Sequence, residues 1–190
     1  MVDEELIRNL TRIVGKEGIL LGQDVAERKA GIFIEDNVKA KIIVRPRNTE
    51  EISKILLLCN QMKQPVVPHG GLTGLAEAAI TTKDEIVISS ERMTEIEEID
   101  PIGRTLTAQA GAKLQSIQEA AEKESMFFPL DLGARGSYTI GGNASTNAGG
   151  NRVIRYGMTR ELVLGLEAVL ADGTVISSMN KMLKNNAGYD

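Results

Sequence analysis

The sequence predicts an α+β fold, because short apolar runs and amphipathic helical segments alternate along a chain of ordinary globular composition. The chain has 190 residues, of which 42% are apolar and 25% are charged. This length fits one domain or two small lobes that share a core. Glycine is the conspicuous excess: of 19 residues, seven lie between Gly133 and Gly157, and three more are Gly70, Gly71 and Gly74. The fold class and the two glycine-rich loops are therefore the features that indicate function.

The first half of the chain predicts a helix followed by a strand–helix–strand unit. Apolar residues recur at helical spacing in residues 3–14, and residues 20–40 read as loop with a short helix. Residues 41–44 are a buried strand, and Asn48 is placed to cap a helix with Glu51 three residues later. Residues 65–68 form the next strand. This order predicts a parallel strand pair with a helical crossover.

The second half predicts further strands and one more helix. Strands are expected at 85–88, 96–100 and 105–110, and a helix runs from Leu114 to about Ser125. The dipeptide Asp172-Gly173 lies between apolar runs at 163–170 and 174–177, which is typical of a β-hairpin.

Composition excludes several classes of protein. No apolar run approaches the roughly 18 residues that a membrane span requires. The net charge is −4 without a basic block, and aromatic residues are 3% of the chain, so nucleic acid is not the expected partner. The N-terminus is acidic, and a single cysteine, Cys59, permits a reducing compartment. We therefore expect a cytoplasmic protein without a membrane span.

The first glycine-rich loop follows the predicted strand at 65–68. Glycines allow successive N–H groups to point into one concavity that holds phosphate oxygens, and a threonine hydroxyl adds a donor. A tight surface turn is the alternative that spacing alone leaves open. The loop comprises Pro68, His69, Gly70, Gly71, Leu72, Thr73, Gly74 and Leu75.

The second glycine-rich loop covers residues 137–151 and interleaves small residues with Ser, Thr and Asn. Such a stretch is suited to line a polar or phosphorylated ligand at close range. A flexible linker and a small-residue helix packed on a neighbour are the alternatives. Three arginines follow, and they either assist with an anionic ligand or are solvated at the surface: Arg152, Arg155 and Arg160.

Together these motifs resemble the FAD-binding domain of the FAD-linked oxidases, of the vanillyl-alcohol-oxidase/p-cresol methylhydroxylase (PCMH) type. Within this family they are most similar to the D-lactate, glycolate-oxidase-subunit and D-2-hydroxyglutarate dehydrogenases. The resemblance covers roughly residues 40–190. The residues that carry it are Val44-Arg45-Pro46, the loop 68–75, the stretch 140–150, Arg155-Tyr156-Gly157, the segment 165–173 and the ending 186–190.

The resemblance implies a two-lobed α+β domain that holds an extended FAD between its lobes, with the second lobe truncated in this chain. It divides the chain into an N-terminal helical segment, 1–40, and an FAD-binding PCMH-type domain, 41–190, incomplete at its C-terminus. The first loop is implied to wrap the pyrophosphate, and the second to run along the pyrophosphate, the ribityl chain and the flavin. The implied cofactor-binding residues are the eight of the first loop together with Asp131, Ser137, Ile140, Gly141, Gly142, Asn143, Thr146, Asn147 and Gly149.

The implied chemistry is hydride transfer from C2 of a small 2-hydroxy acid to flavin N5. Relatives with covalent flavin often carry histidine after the glycine pair, where this sequence has Leu72, so we expect non-covalent FAD. Glu77-Ala78 replaces glycines that members usually carry after the first loop, which puts the outer part of that loop in doubt. A UDP-sugar-reducing relative of the same fold, which uses NADPH, is the alternative enzyme.

No catalytic base and no metal site are predicted. His69 is the only histidine, and we interpret it as a turn residue that bonds to backbone, while Cys59 is interpreted as a small core residue. We expect the chain alone to lack turnover and to expose a sheet edge or an apolar face, and so to self-associate. The other functions considered are a non-catalytic FAD module that needs a partner chain and a degenerate fragment.

Overall fold

The computed structural model describes residues 4–32 and 34–184. Helices and short strands alternate through these residues, which confirms the predicted α+β class. The helices are α1 Glu4–Val14, α2 Gln23–Ala26, α3 Thr49–Gln61, α4 Leu114–Lys123, α5 Ile140–Ser145, α6 Val153–Tyr156 and α7 Thr159–Leu162. The strands are β1 Ile19–Leu21, β2 Lys29–Gly31, β3 Ile34–Asn37, β4 Ile42–Val44, β5 Val66–His69, β6 Ile86–Ser89, β7 Ile96–Asp100, β8 Thr105–Ala108, β9 Leu166–Val169 and β10 Val175–Ser178.

A four-stranded sheet in the order β1-β4-β6-β5 organises the first half of the chain. Strand β6 pairs in parallel with both β4 and β5, while β1 is antiparallel to β4. Alternate residues of the parallel strands face opposite sides, as the two-residue period of a strand requires. Ile42 and Ile86 pack with α1 and α3, and Ile43 and Val87 pack with Val25 of α2 on the other side.

Two sequence predictions for this half need correction. Strands β4 and β5 are parallel as expected, but they are not neighbours, because β6 lies between them. All four residues of β6 are buried, which is the condition of a central strand. The region 20–40, expected to be loop with a short helix, contains β2 and β3 as well as α2. These strands have three or four residues and mostly polar side chains, so their sequences lack the alternation of apolar and polar residues that predicts a strand.

Helix α3 begins as its sequence indicates. The Asn48 side chain accepts a hydrogen bond from the backbone N–H of Glu51 at 2.9 Å. The Glu51 carboxylate accepts from the N–H of Arg47 at 2.8 Å rather than from that of the cap residue. Cys59 lies on the buried face of this helix, as predicted, and burial raises the pKa of its thiol to about 11.

The second half is built from two antiparallel hairpins and a set of helices between them. Strands β7 and β8 pair with each other, and β9 pairs with β10 across the predicted Asp172-Gly173 turn. The Asp172 carboxylate accepts from the N–H of Thr174 at 2.9 Å, and Gly173 has a φ of +86°. The sequence motif at 186–190 lies outside the described residues. Of the helices described, none has the length and apolar character to cross a membrane.

A candidate cofactor site where two glycine-rich loops meet

The two glycine-rich loops pack directly against each other at the end of β5. A methyl group on Gly70 would lie 2.6 Å from Thr139 Oγ1, and one on Gly71 would lie 2.1 Å from the carbonyl oxygen of Ser137. The Gly70 position also lies 3.7 Å from the Cα of Gly142. Contacts this short leave no room for a side chain. Gly70 and Gly71 are therefore required for the approach of the first loop to the second.

The first part of the second loop is a short helix, α5, and not a flexible linker. Ile140 and Gly141 donate their N–H groups to the carbonyls of Ala112 and Ala110 at 2.9 and 2.8 Å. A methyl on Gly141 would come within 2.6 Å of the Ala110 side chain. Of the alternatives left open by the sequence, the small-residue helix packed on a neighbour is therefore correct for residues 140–145.

Two buried side-chain oxygens at this junction have no protein partner. Thr139 and Asn143 are 3% and 2% exposed. Thr139 Oγ1 and Asn143 Oδ1 find no hydrogen-bond partner among the residues that the structure describes. Buried polar atoms are almost always paired, and an unpaired one destabilises the fold. These two atoms are the strongest structural indication that a polar ligand enters here.

The backbone of the first loop also presents unused donors. Within residues 4–32 and 34–184, the N–H groups of Gly71, Thr73, Gly74 and Leu75 have no protein acceptor. Leu72, between them, has a φ of +56°, in the left-handed region that non-glycine residues rarely adopt. Successive free N–H groups around a left-handed residue have the character of an anion-binding nest.

His69 closes the base of the first loop. Its Nε2 lies 2.9 Å from the carbonyl oxygen of Ala79, and its side chain is buried. Burial lowers the pKa of His69, while the bond to Ala79 and the charge of Glu91 oppose that shift. The expected bond of His69 to backbone is confirmed, but the residue is the last of strand β5 and not a turn residue.

Asp131 organises the far end of the second loop. Its carboxylate lies 3.2 Å from Arg135 and 3.6 Å from Arg152. Its carbonyl oxygen accepts from the N–H of Asn151 at 3.1 Å and would lie 2.1 Å from a methyl on Gly150. Asp131 therefore contacts residues 150–152, and the close approach of its carbonyl oxygen requires a glycine at position 150.

Asn147 and Gly149 likewise contact the helices that follow rather than the first loop. Asn147 accepts from the N–H of Arg160 at 2.9 Å and has a φ of +48°. A methyl on Gly149 would lie 3.5 Å from Met158. The guanidinium groups of Arg152 and Arg155 stack on the aromatic rings of Phe127 and Tyr156 at 4.9 and 5.2 Å.

The predicted site residues thus fall into three groups. Those brought together at the loop junction are Gly70, Gly71, Ser137, Ile140, Gly141, Gly142 and Asn143. Those at the base or along the exposed arc of the first loop are Pro68, His69, Leu72, Thr73, Gly74 and Leu75. Those at the far end of the second loop or beside it are Asp131, Thr146, Asn147 and Gly149.

Sequence reasoning missed two parts of this arrangement. Thr139 lies within the second loop but is absent from the predicted set, although its hydroxyl is one of the two unpaired oxygens. The segment 109–112 supports α5, and a methyl on Gly111 would lie 1.9 Å from the carbonyl oxygen of Ser90. The small-residue run Ala110-Gly111-Ala112, at the end of a predicted strand, is the signal that could have identified it.

The chain is similar in sequence to D-2-hydroxyglutarate dehydrogenases. A probable mitochondrial D-2-hydroxyglutarate dehydrogenase of Oryza sativa subsp. indica is 42% identical over 179 residues, which are 94% of this chain and 32% of the relative. The mitochondrial D-2-hydroxyglutarate dehydrogenase of Danio rerio is 46% identical over 149 residues, 78% of this chain and 28% of the relative. The chain therefore spans less than a third of the length of either protein.

These relatives correct one prediction from the sequence. Both are named as mitochondrial proteins, so the expectation of a cytoplasmic protein is wrong. The composition failed as a guide because a single unpaired cysteine does not distinguish one reducing compartment from another.

The fold and the sequence identify the family. The structure of p-cresol methylhydroxylase with substrate bound superposes with a TM-score of 0.74 at 17% identity, over 91% of this chain and 34% of that one. This confirms the predicted PCMH-type fold. The family described as FAD binding domain matches residues 40–178, which include both glycine-rich loops. The chain belongs to this family of FAD binding domains.

Proposed function

We propose that this chain is the FAD-binding portion of a flavin-dependent oxidoreductase that oxidises a 2-hydroxy acid. The family match and the D-2-hydroxyglutarate dehydrogenase relatives support the class of reaction. When bound, FAD supplies the flavin that accepts a hydride from C2 of such an acid. The observation that carries the proposal is the pair of buried, unpaired oxygens of Thr139 and Asn143 where the two loops meet.

The residues present fit this cofactor. The free N–H groups of the first loop are donors suited to pyrophosphate oxygens, and they are needed because the net charge of −4 does not attract an anion. Asn143 Oδ1 is an acceptor, so it suits a ribityl hydroxyl or a flavin N–H, while the Thr139 hydroxyl can donate or accept. FAD offers all three kinds of group.

We further propose that the chain binds FAD without covalent attachment and does not turn over by itself. Leu72 occupies the position where covalently flavinylated relatives often carry histidine. The single histidine, His69, is buried and bonded to the carbonyl of Ala79, which makes it unsuited to take a proton from a substrate. Acid precipitation that releases all of the flavin into the supernatant would support the first point, and flavin that stays with the protein would oppose it.

The valine variant of Thr139 tests the site directly. Thr139→Val removes a buried hydroxyl that has no protein partner, so the FAD-free protein should be as stable as the wild type or more so. FAD should bind about two- to tenfold more weakly, the effect of losing one hydrogen bond. Thermal unfolding of the FAD-free protein and fluorescence titration with FAD give the two quantities.

Thr105→Val is the matched control. Thr105 Oγ1, in β8, is also a buried hydroxyl without a partner among the described residues, but it lies in the β7–β8 hairpin outside the loops. This variant should bind FAD as the wild type does. If Thr139→Val folds and keeps wild-type FAD affinity, the hydroxyl does not face the cofactor and the proposed site is wrong.

A further inference from the structure

We infer that the N-terminal hairpin segment, residues 28–32 and 34–40, positions the first glycine-rich loop for FAD. This segment lies almost entirely before residue 40, where the match to the FAD binding domain family begins. The inference rests on the proposed function, because it assigns these residues a role at the same site. It makes β2 and β3 part of the cofactor site rather than a separate N-terminal appendage.

The segment holds the loop at Leu72. The N–H of Ile32 donates to the carbonyl oxygen of Leu72 at 3.0 Å. A methyl on the neighbouring Gly31 would lie 3.4 Å from the same oxygen. Leu72 has a φ of +56°, a conformation that destabilises a residue with a side chain unless its surroundings hold it. The bond from Ile32 is one such restraint, and it acts between the two free N–H groups of Gly71 and Thr73.

The segment also holds the chain that follows the first loop, at Thr81. The Thr81 hydroxyl oxygen accepts from the N–H groups of Lys39 and Ala40 at 2.9 and 3.0 Å. Thr81 is 2% exposed, so both bonds are protected from water. The same segment therefore restrains Leu72 within the loop and the chain after the loop has ended.

Between these two points the loop is open. Gly74 has no atom within 4 Å of where its side chain would start, and Leu75 is 78% exposed. The bond between His69 and Ala79 closes the base but does not reach the arc. The bonds at Leu72 and Thr81 therefore restrain the arc that presents the free N–H groups, in addition to the contacts of His69, Gly70 and Gly71 at its base.

The segment is itself fixed to the central sheet. Arg28 donates two hydrogen bonds to the Glu91 carboxylate at 2.8 and 3.3 Å, and Arg45, directly after β4, donates a third at 3.0 Å. The carbonyl of Arg28 accepts from the N–H of Val38 at 2.7 Å, which closes the hairpin. Because the segment is bonded to residues beside the central sheet, it fixes the position of the loop relative to that sheet.

Two variants at Ile32 test the inference. Ile32→Pro removes the N–H that bonds to Leu72, whereas Ile32→Ala keeps it, and the side chain is 53% exposed, so its loss alone should matter little. In the FAD-free protein, limited proteolysis within residues 70–81 should be faster in Ile32→Pro than in Ile32→Ala, because an unrestrained loop is cleaved more readily. FAD affinity should fall about two- to tenfold in Ile32→Pro alone.

A pair at Thr81 covers the case in which Ile32→Pro does not fold. Thr81→Val removes the acceptor of both N–H groups, and Thr81→Ser restores it. Faster proteolysis within 70–81 and weaker FAD binding in Thr81→Val, both rescued in Thr81→Ser, would support the inference. Unchanged proteolysis within 70–81 in folded Ile32→Pro and Thr81→Val would overturn it. Failure of the wild type to bind FAD would refute the proposed function instead, since proteolysis is measured without FAD.

Discussion

Single residues at the loop junction show the difference between structural and functional use of polar groups. His69 and Thr81 are buried and paired with backbone atoms, so they stabilise the loop. Thr139 and Asn143 are equally buried and carry an unpaired oxygen each. The first pair is explained by the protein alone, whereas the second pair is suited to hydrogen bonds with a ligand at the loop junction. Burial by itself would not have separated them, because the distinction lies in the hydrogen-bond partners.

His69 should make the stability of the protein depend on pH in a defined direction. Burial lowers its pKa below the ordinary 6.5, so the unfolded state binds the proton more readily. The free energy of unfolding should therefore fall as the pH drops through about 6.5, by at most about 1.4 kcal/mol per pH unit. Urea unfolding at pH 7.5, 6.5 and 5.5 measures this.

His69→Gln is the comparison for that series. Glutamine keeps a donor but does not titrate, so the decline in this pH range should disappear. A wild type and a variant with the same decline would show that another group causes it.

Packing between secondary-structure elements explains why the two loops form one site. Gly71 lies so close to the Ser137 carbonyl oxygen that a side chain at this position would overlap it. Gly141 and Gly111 likewise lie close to neighbouring backbone. These contacts stack the first loop on the second, and the second on the segment 109–112. Close approach of backbones is thus the principal use of glycine in this site.

Gly71→Ala should therefore separate the loops. The added methyl would lie 2.1 Å from a backbone oxygen, which cannot move aside as a flexible side chain could. We expect FAD affinity to fall by more than about tenfold, since a displacement of the loop affects several donors together. Gly133→Ala is the control, because that glycine has no atom within 4 Å of its side-chain position. Equal FAD affinity in the two folded variants would contradict this account.

The elements show how far sequence reasoning reaches. The helix after Asn48 and the hairpin at Asp172-Gly173 were predictable because a cap and a turn depend on local residue types. The position of β6 between β4 and β5 was not, since strand order depends on contacts that no local pattern encodes. The same holds for the site: glycine clusters marked both loops, but the burial of Thr139 and the bond of Ile32 to Leu72 are set by the tertiary fold.

At the scale of the whole molecule, the two halves differ in how completely the side chains of their strands are buried. The central sheet has packed residues on both faces, whereas the side chains of β9 and β10 are mostly exposed. The exposed apolar residues on or beside this hairpin are Leu166, Leu170, Val175, Ile176, Met179, Met182 and Leu183. An apolar surface of this kind favours association with another surface.

We therefore predict that the chain self-associates through the β9–β10 hairpin. Ile176→Lys, at a side chain that is 52% exposed, should lower the apparent mass in light scattering without loss of thermal stability. Ile154→Lys is the control, because Ile154 is fully exposed in α6 and lies outside the hairpin. A wild type that is monomeric at high concentration and binds no apolar dye would contradict the prediction.

The retention of FAD by the purified chain tests the central claim most directly. The protein is incubated with FAD, passed through a gel-filtration column and examined by its visible spectrum. The account predicts a flavin spectrum that elutes with the folded protein and is released by acid. A folded protein that elutes without flavin would contradict it, because the two loops would then share the family's fold without holding its cofactor.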